Sequence, residues 1–80
     1  MNVIIWSKYQ CSYCDKAKTL LKMKNISFEE RKIGDGWTKE DLLESIPTAR
    51  TVPQIVIDGE QIGGYDQLVK YFESLEQAAP

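Results

Sequence analysis

Apolar residues recur along this chain with two different periods. Val3, Ile4, Ile5 and Trp6 form a nearly continuous run, which predicts a buried strand over Asn2–Ser7 with Trp6 in the core. From Ser12 to about Lys24 the spacing becomes helical. Tyr13, Ala17, Leu20 and Leu21 share one face, while Lys16, Lys18, Lys22 and Lys24 lie largely elsewhere. Lys18, Lys22 and Lys24 are expected to be solvated. Ser12 and Asp15 have the spacing of a capping box, with Asp in the place of the preferred Glu, and Asn25 suits the helix end. Ile26 and Phe28 then alternate with Ser27 and Glu29 before Ile33 returns to the core, predicting a second strand over Ile26–Ile33.

Gly34-Asp35-Gly36 reads as a turn. Thr38, with Asp41 three residues on, opens a helix whose apolar stripe is Leu42, Leu43 and Ile46; Pro47 ends it, because the residue before a proline is pushed out of the helical region. A loop over Pro47–Thr51 leads to a buried strand over Gln54–Asp58, then an Asp58-Gly59 hairpin turn and a short return strand, Glu60–Ile62. After Gly63-Gly64, Asp66 opens a last helix with Leu68, Val69, Phe72 and Leu75 at helical spacing, and Gln77–Pro80 should fray. The order is β-α-β-α-β-β-α. A right-handed parallel βαβ unit and an antiparallel hairpin would form one four-stranded mixed sheet flanked by three helices, an α/β architecture. Trp37 receives no role from this pattern.

The chain has 80 residues and a net charge of −2. That length suits one domain over residues 1–80, near the lower end of what a single core can stabilise. The charge argues against nucleic-acid binding by bulk electrostatics. No apolar run approaches a membrane span, and Met1–Trp6 lacks the basic and small-residue parts of a signal peptide, so a reducing cytoplasm is the expected setting. The two cysteines, Cys11 and Cys14, are accompanied by no histidine. A closed zinc site normally needs four Cys or His ligands. A structural staple across so small a loop would constrain the unfolded chain least. In a reducing setting a lone C-x-x-C is more often catalytic. This one stands where a strand gives way to a helix, whose free N–H groups and dipole favour an anion. Thiolate is the nucleophile of disulfide exchange, and in C-x-x-C motifs the pKa can fall from about 8.5 to roughly 3.5–7.5. The pair therefore predicts a redox site, with a metal cluster shared between two chains as the competing reading.

Three motifs specify more. Cys11-Ser12-Tyr13-Cys14, Thr51-Val52-Pro53-Gln54 and Gly63-Gly64-Tyr65-Asp66, in this order, strongly resemble the dithiol glutaredoxins of the thioredoxin-fold superfamily. The likeness covers Val3 to Leu75, and the last helix with Tyr71-Phe72 also looks like the short phage and bacterial members. Thioredoxin itself fits less well, since its site typically reads Trp-Cys-Gly-Pro-Cys. The resemblance implies a thioredoxin fold and a glutathione-dependent thiol–disulfide oxidoreductase. Cys11 would be the nucleophile and Cys14 the resolving thiol, with glutathione as co-substrate, no metal, and a monomer as the working form. Partners would be glutathione and disulfide-containing or glutathionylated proteins, and ribonucleotide reductase is compatible as a client.

The same resemblance implies a glutathione groove built from Lys8, Tyr13, Thr51, Val52, Pro53, Gly64, Tyr65 and Asp66. Lys8 would favour the thiolate and reach a glutathione carboxylate, although a lysine at a strand end can simply be solvated. Tyr13 would flank the tripeptide or merely cover the helix start. Val52-Pro53 matches the family's cis-proline step, which turns the backbone of Val52 toward the thiols for strand-like pairing. Gly63-Gly64 admits close backbone approach. Asp66 would accept from the γ-glutamyl ammonium, cap the last helix, or both. Gln54 is expected as a strand or surface residue, Arg50 either raises local potential or faces solvent, and Tyr9 is not counted in the site. Ser12 departs from the proline of many dithiol members. Some members with Ser there hold a [2Fe–2S] cluster between two subunits, glutathione supplying the other thiolates. A cluster-carrying dimer is thus the alternative function, although Gln10 replaces the tryptophan that some of those relatives carry.

Overall fold

The apolar run that opens the chain is buried because it lies in the middle of a sheet covered on both faces. In a computed structural model that describes residues 1–78, β1 (Val3–Lys8) is central, with β2 (Glu29–Ile33) parallel on one side and β3 (Gln54–Ile57) antiparallel on the other. β4 (Glu60–Gly63) extends the sheet antiparallel to β3, giving the order β2-β1-β3-β4. Three helices complete the chain: α1 (Ser12–Met23), α2 (Lys39–Ser45) and α3 (Tyr65–Ala78). This is the four-stranded mixed sheet with three helices that the pattern predicts, in the thioredoxin-type arrangement that the resemblance implies. Of the stretch expected to fray, Gln77 and Ala78 still belong to α3, and residues 79–80 lie outside the described residues.

Alternation along the strands divides the core in two. Val3, Ile5, Ile55 and Ile57 meet Ala17 and Leu21 of α1 and Leu68 and Phe72 of α3. Trp6 points to the opposite face and meets Leu42, Ile46 and Ala49. Trp37, unplaced by the sequence, belongs to this second cluster. Its ring stands edge-on to Trp6 with centroids 5.3 Å apart, and the Arg31 guanidinium lies 4.6 Å from the Trp37 ring centre. A backbone bridge between Ile33 and Trp37 holds it there.

Several boundaries differ from expectation for local reasons. α1 has Cys11, not Ser12, as its N-cap: the Cys11 backbone is extended and its side chain accepts the Cys14 N–H, so Ser12 is already helical and no Ser12/Asp15 capping box forms. At the other end Asn25 adopts φ 58°, the Ile26 N–H reaches the Leu21 carbonyl, and the Asn25 N–H reaches that of Lys22. This Schellman closure spends Ile26 on the helix end. β2 accordingly starts at Glu29, while Ile26 and Phe28 cover the first core cluster from the loop. α2 is capped as expected, by reciprocal bonds between Thr38 and Asp41. α3 begins at Tyr65 rather than Asp66, because the Gln67 side chain accepts the Gly64 N–H at 3.0 Å and takes the capping role expected of Asp66. Leu75, expected in the core, is 46% exposed and belongs to neither core cluster.

Candidate active site

Topology gathers the three motifs at one end of the sheet. β1 runs toward Lys8 and the Cys11 turn. β3 is antiparallel to it, with Trp6 beside Gln54, so Thr51–Pro53 enters the sheet at the same end. β4 returns antiparallel to β3, with Gly63 beside Ile55, which brings Gly64 and the start of α3 there too. The Val52-Pro53 peptide bond is cis. Gln54, expected as a strand or surface residue, is a buried strand residue, and its amide Nε2 donates to the Thr51 carbonyl at 2.9 Å, tying this turn to β3. Gly63 has φ 116°, a backbone conformation that favours glycine, and a Cβ added to it would lie 3.1 Å from Gln67 Cγ, close enough that this side chain would have to shift.

Cys11 and Cys14 form a disulfide with Cα atoms 5.2 Å apart. The two sulfurs are placed unequally. Cys14 is 1% exposed and faces the interior from the first turn of α1, whereas Cys11 is half-buried. The Cys14 N–H donates to Cys11 Sγ at 3.2 Å, and Cys11 Sγ lies 3.9 Å from the Val52 carbonyl oxygen. A thiolate formed at Cys11 would thus keep a backbone N–H donor and the positive end of α1.

Two cavities meet at Val52, beside Cys11, though neither cysteine is among their lining residues. The first, about 300 Å³, is lined by Tyr13, Thr51, Val52, Pro53, Gly64, Tyr65, Asp66 and Gln67. It brings together every residue of the expected groove except Lys8. Tyr13, placed by pattern on the apolar helix face, is instead 55% exposed; its ring stands 6.2 Å from that of Tyr65, as one wall of the cavity. The second cavity, about 270 Å³, holds Lys8 and Arg50 with Lys39, Ile33, Leu42, Leu43 and Ala49, and shares Thr51 and Val52 with the first. Gln67 was not singled out by the sequence. Its signal was its position three residues after Gly64, where a Gln side chain can reach back to a helix start.

Tyr9 lines neither cavity. Its ring lies 4.4 Å from Lys32 Nζ, and the nearby Asp35 carboxylate, by its charge first and a hydrogen bond besides, pushes the phenol pKa up. Beneath α1, the buried Ser7 hydroxyl donates to Glu30 Oε2 at 2.6 Å, and Lys18 Nζ donates to the same oxygen at 2.9 Å. Lys18, expected to be solvated, is therefore a half-buried tie between α1 and β2. Partial burial disfavours the Glu30 charge, but the Ser7 and Lys18 hydrogen bonds and the Lys18 and Lys32 charges outweigh it and hold the carboxyl below its ordinary value. Among the described residues, no group of three or more His, Cys, Asp or Glu side chains is arranged to hold a metal ion.

Comparison with known proteins agrees with this geometry. A family model described as glutaredoxin matches residues 3–62. Glutaredoxin 3 of Escherichia coli (strain K12) is 43% identical over 67 residues, which cover 84% of this chain and 81% of that protein. Glutaredoxin-C4 of Arabidopsis thaliana is 38% identical over 82 residues, covering 96% of this chain but only 59% of the plant protein. Among solved structures, glutaredoxin 1 from Francisella tularensis, complexed with cacodylate, superposes with a TM-score of 0.80 at 30% identity, over 95% of this chain and 96% of that one.

Proposed function

The chain belongs to the glutaredoxin family, and from that premise we propose a glutathione-dependent reductase of protein disulfides and glutathione mixed disulfides that works through Cys11 and Cys14. It acts as one domain and as a monomer, in the reducing cytoplasm, on disulfide-bearing or glutathionylated proteins; ribonucleotide reductase is a client of that class. The reading is carried by one observation: the more exposed sulfur, Cys11, lies 3.9 Å from the carbonyl oxygen of Val52, a residue that lines both cavities, while its partner Cys14 is buried.

The chemistry follows from that inequality. The Cys11 thiolate attacks one sulfur of the substrate disulfide. A bond forms between Cys11 Sγ and that sulfur, the substrate S–S bond breaks, and the leaving thiolate takes a proton from solvent. With a protein disulfide, the Cys14 thiolate then attacks Cys11 Sγ, which releases the second substrate thiol and closes the Cys11–Cys14 disulfide. Two glutathiones reopen it and leave as glutathione disulfide, so two electrons pass from glutathione to the client. With a glutathione mixed disulfide, Cys11 alone suffices and a second glutathione regenerates it. In the groove, the Asp66 carboxylate accepts from the γ-glutamyl ammonium, the Val52 backbone pairs with the cysteinyl unit, and Lys8 takes the glycine carboxylate.

The test is turnover of a small glutathione mixed disulfide, coupled to glutathione reductase, for wild type, Cys11→Ser and Cys14→Ser. The expected result is activity in wild type and Cys14→Ser and none in Cys11→Ser. Activity retained by Cys11→Ser would reverse the two roles. No turnover in any of the three would remove glutathione as the reductant.

A further inference from the structure

Glutathione leaves part of the second cavity unexplained. The tripeptide ends one residue past its cysteine, in a glycine that has no side chain. Yet beyond Lys8 this cavity has a floor of Ile33, Leu42 and Leu43, and two more cations at Lys39 and Arg50. Leu43 is 37% exposed, an aliphatic surface left open beside those charges. No acidic residue is among the lining residues. Three acids of α2, Glu40, Asp41 and Glu44, adjoin this wall in sequence but do not line the cavity, and Asp41 is engaged at the helix start, where its carboxylate accepts the Thr38 N–H at 2.9 Å. At about 270 Å³ the cavity falls short of the roughly 300–1,000 Å³ that hold a whole small ligand, which suits part of an extended chain instead.

We propose that this groove docks the client polypeptide, taking the residues that follow its reacting cysteine: an aliphatic side chain on the Leu42/Leu43 floor, then acidic side chains at Lys39 and Arg50. The direction of the chain rests on the reading under Proposed function. An ammonium end drawn to Asp66 in the first cavity and a carboxylate end drawn to Lys8 in the second send the chain from the first cavity toward the second. The mixed disulfide with Cys11 anchors the client at Val52, and the next residues then enter the groove. Charge complementarity selects an acidic segment, and the aliphatic floor selects what precedes the acids.

The experiment compares two symmetrical peptide disulfides as substrates, with glutathione as reductant. One peptide continues Cys-Leu-Glu-Glu and the other Cys-Gly-Lys-Lys. Wild type is expected to favour the first by about tenfold in kcat/KM, the scale of one good interface contact. Leu43→Asp and Lys39→Glu are each expected to erase most of that preference while leaving turnover of the small glutathione mixed disulfide unchanged. Equal kcat/KM for the two peptides in wild type, or a preference that survives both substitutions, would overturn the docking site while the reductase reading stands. Absence of turnover on the small mixed disulfide would overturn the reductase reading, and the docking site with it.

Discussion

The two cavities beside the disulfide share Thr51 and Val52 and otherwise differ in every lining residue. The first is made by the exit of the β-hairpin and the start of α3. It offers glycine backbone, two tyrosine rings and the carboxylate of Asp66. The second is made by the ends of β1 and β2 and by α2. It offers aliphatic side chains below Lys8, Lys39 and Arg50. A chain laid along Val52 therefore meets negative charge on one side and positive charge on the other, and has one favourable direction. On the proposed function, the sulfur chemistry is common to both sides, and selectivity for what carries the sulfur is divided between them.

Removing the charge of one side is the strongest way to break this contrast. Asp66→Asn should raise KM for a glutathione mixed disulfide by about fivefold with kcat little changed, since an exposed ion pair is worth up to roughly 1 kcal/mol. Steady-state kinetics decide it, and an unchanged KM would mean that no ammonium is read there. Gln67→Ala removes the bond to the Gly64 N–H that starts α3. It should cost about 1 kcal/mol of stability, seen as a lower urea midpoint, and a midpoint equal to wild type would deny the side chain its capping role. On the opposite side, Lys8→Gln should raise the same KM only about threefold, because exposed ion pairs are worth roughly 0.2–1 kcal/mol. Added salt should shrink the Lys8 effect, since exposed charges are screened.

The sequence made one cavity far more legible than the other. Most of the first consists of motif residues, Thr51-Val52-Pro53 and Gly64-Tyr65-Asp66, which a linear pattern can carry. The second draws Ile33 from a strand end, Leu42 and Leu43 from a helix, and Ala49 and Arg50 from a loop, and only tertiary packing makes them neighbours. Element order and strand identity were readable because apolar period reports which face is buried. The misreadings lie where a side chain competes for a backbone group. Cys11 displaced Ser12 as a cap, Gln67 displaced Asp66, and Asn25 used Ile26 to close a helix rather than begin a strand. Trp37 and Lys18 were opaque for a related reason: their partners, Trp6 and Glu30, are far away in sequence.

The smallest expected effect concerns a group that lines neither cavity and so separates stability from selectivity. Glu30 joins Ser7 of β1 to Lys18 of α1, behind the helix that carries Cys14. Its carboxyl titrates below the ordinary 4.5, so the folded state favours the ionised form. The stabilisation from that preference is complete above the unfolded-state value and disappears as pH falls through the lower folded-state value. Glu30→Gln should therefore lower the urea midpoint at neutral pH, and the gap from wild type should close progressively as the solution is acidified below about pH 4.5. Lys18 keeps Asp15 as a second acidic neighbour at 3.7 Å, which limits the loss. Turnover of the small mixed disulfide at neutral pH should change little, and the preference between the two peptide disulfides not at all. A gap that persists unchanged into acid would show that Glu30 acts by packing rather than by charge. A shifted peptide preference would mean that the seat of α1, and not the two cavity walls alone, governs what the site accepts.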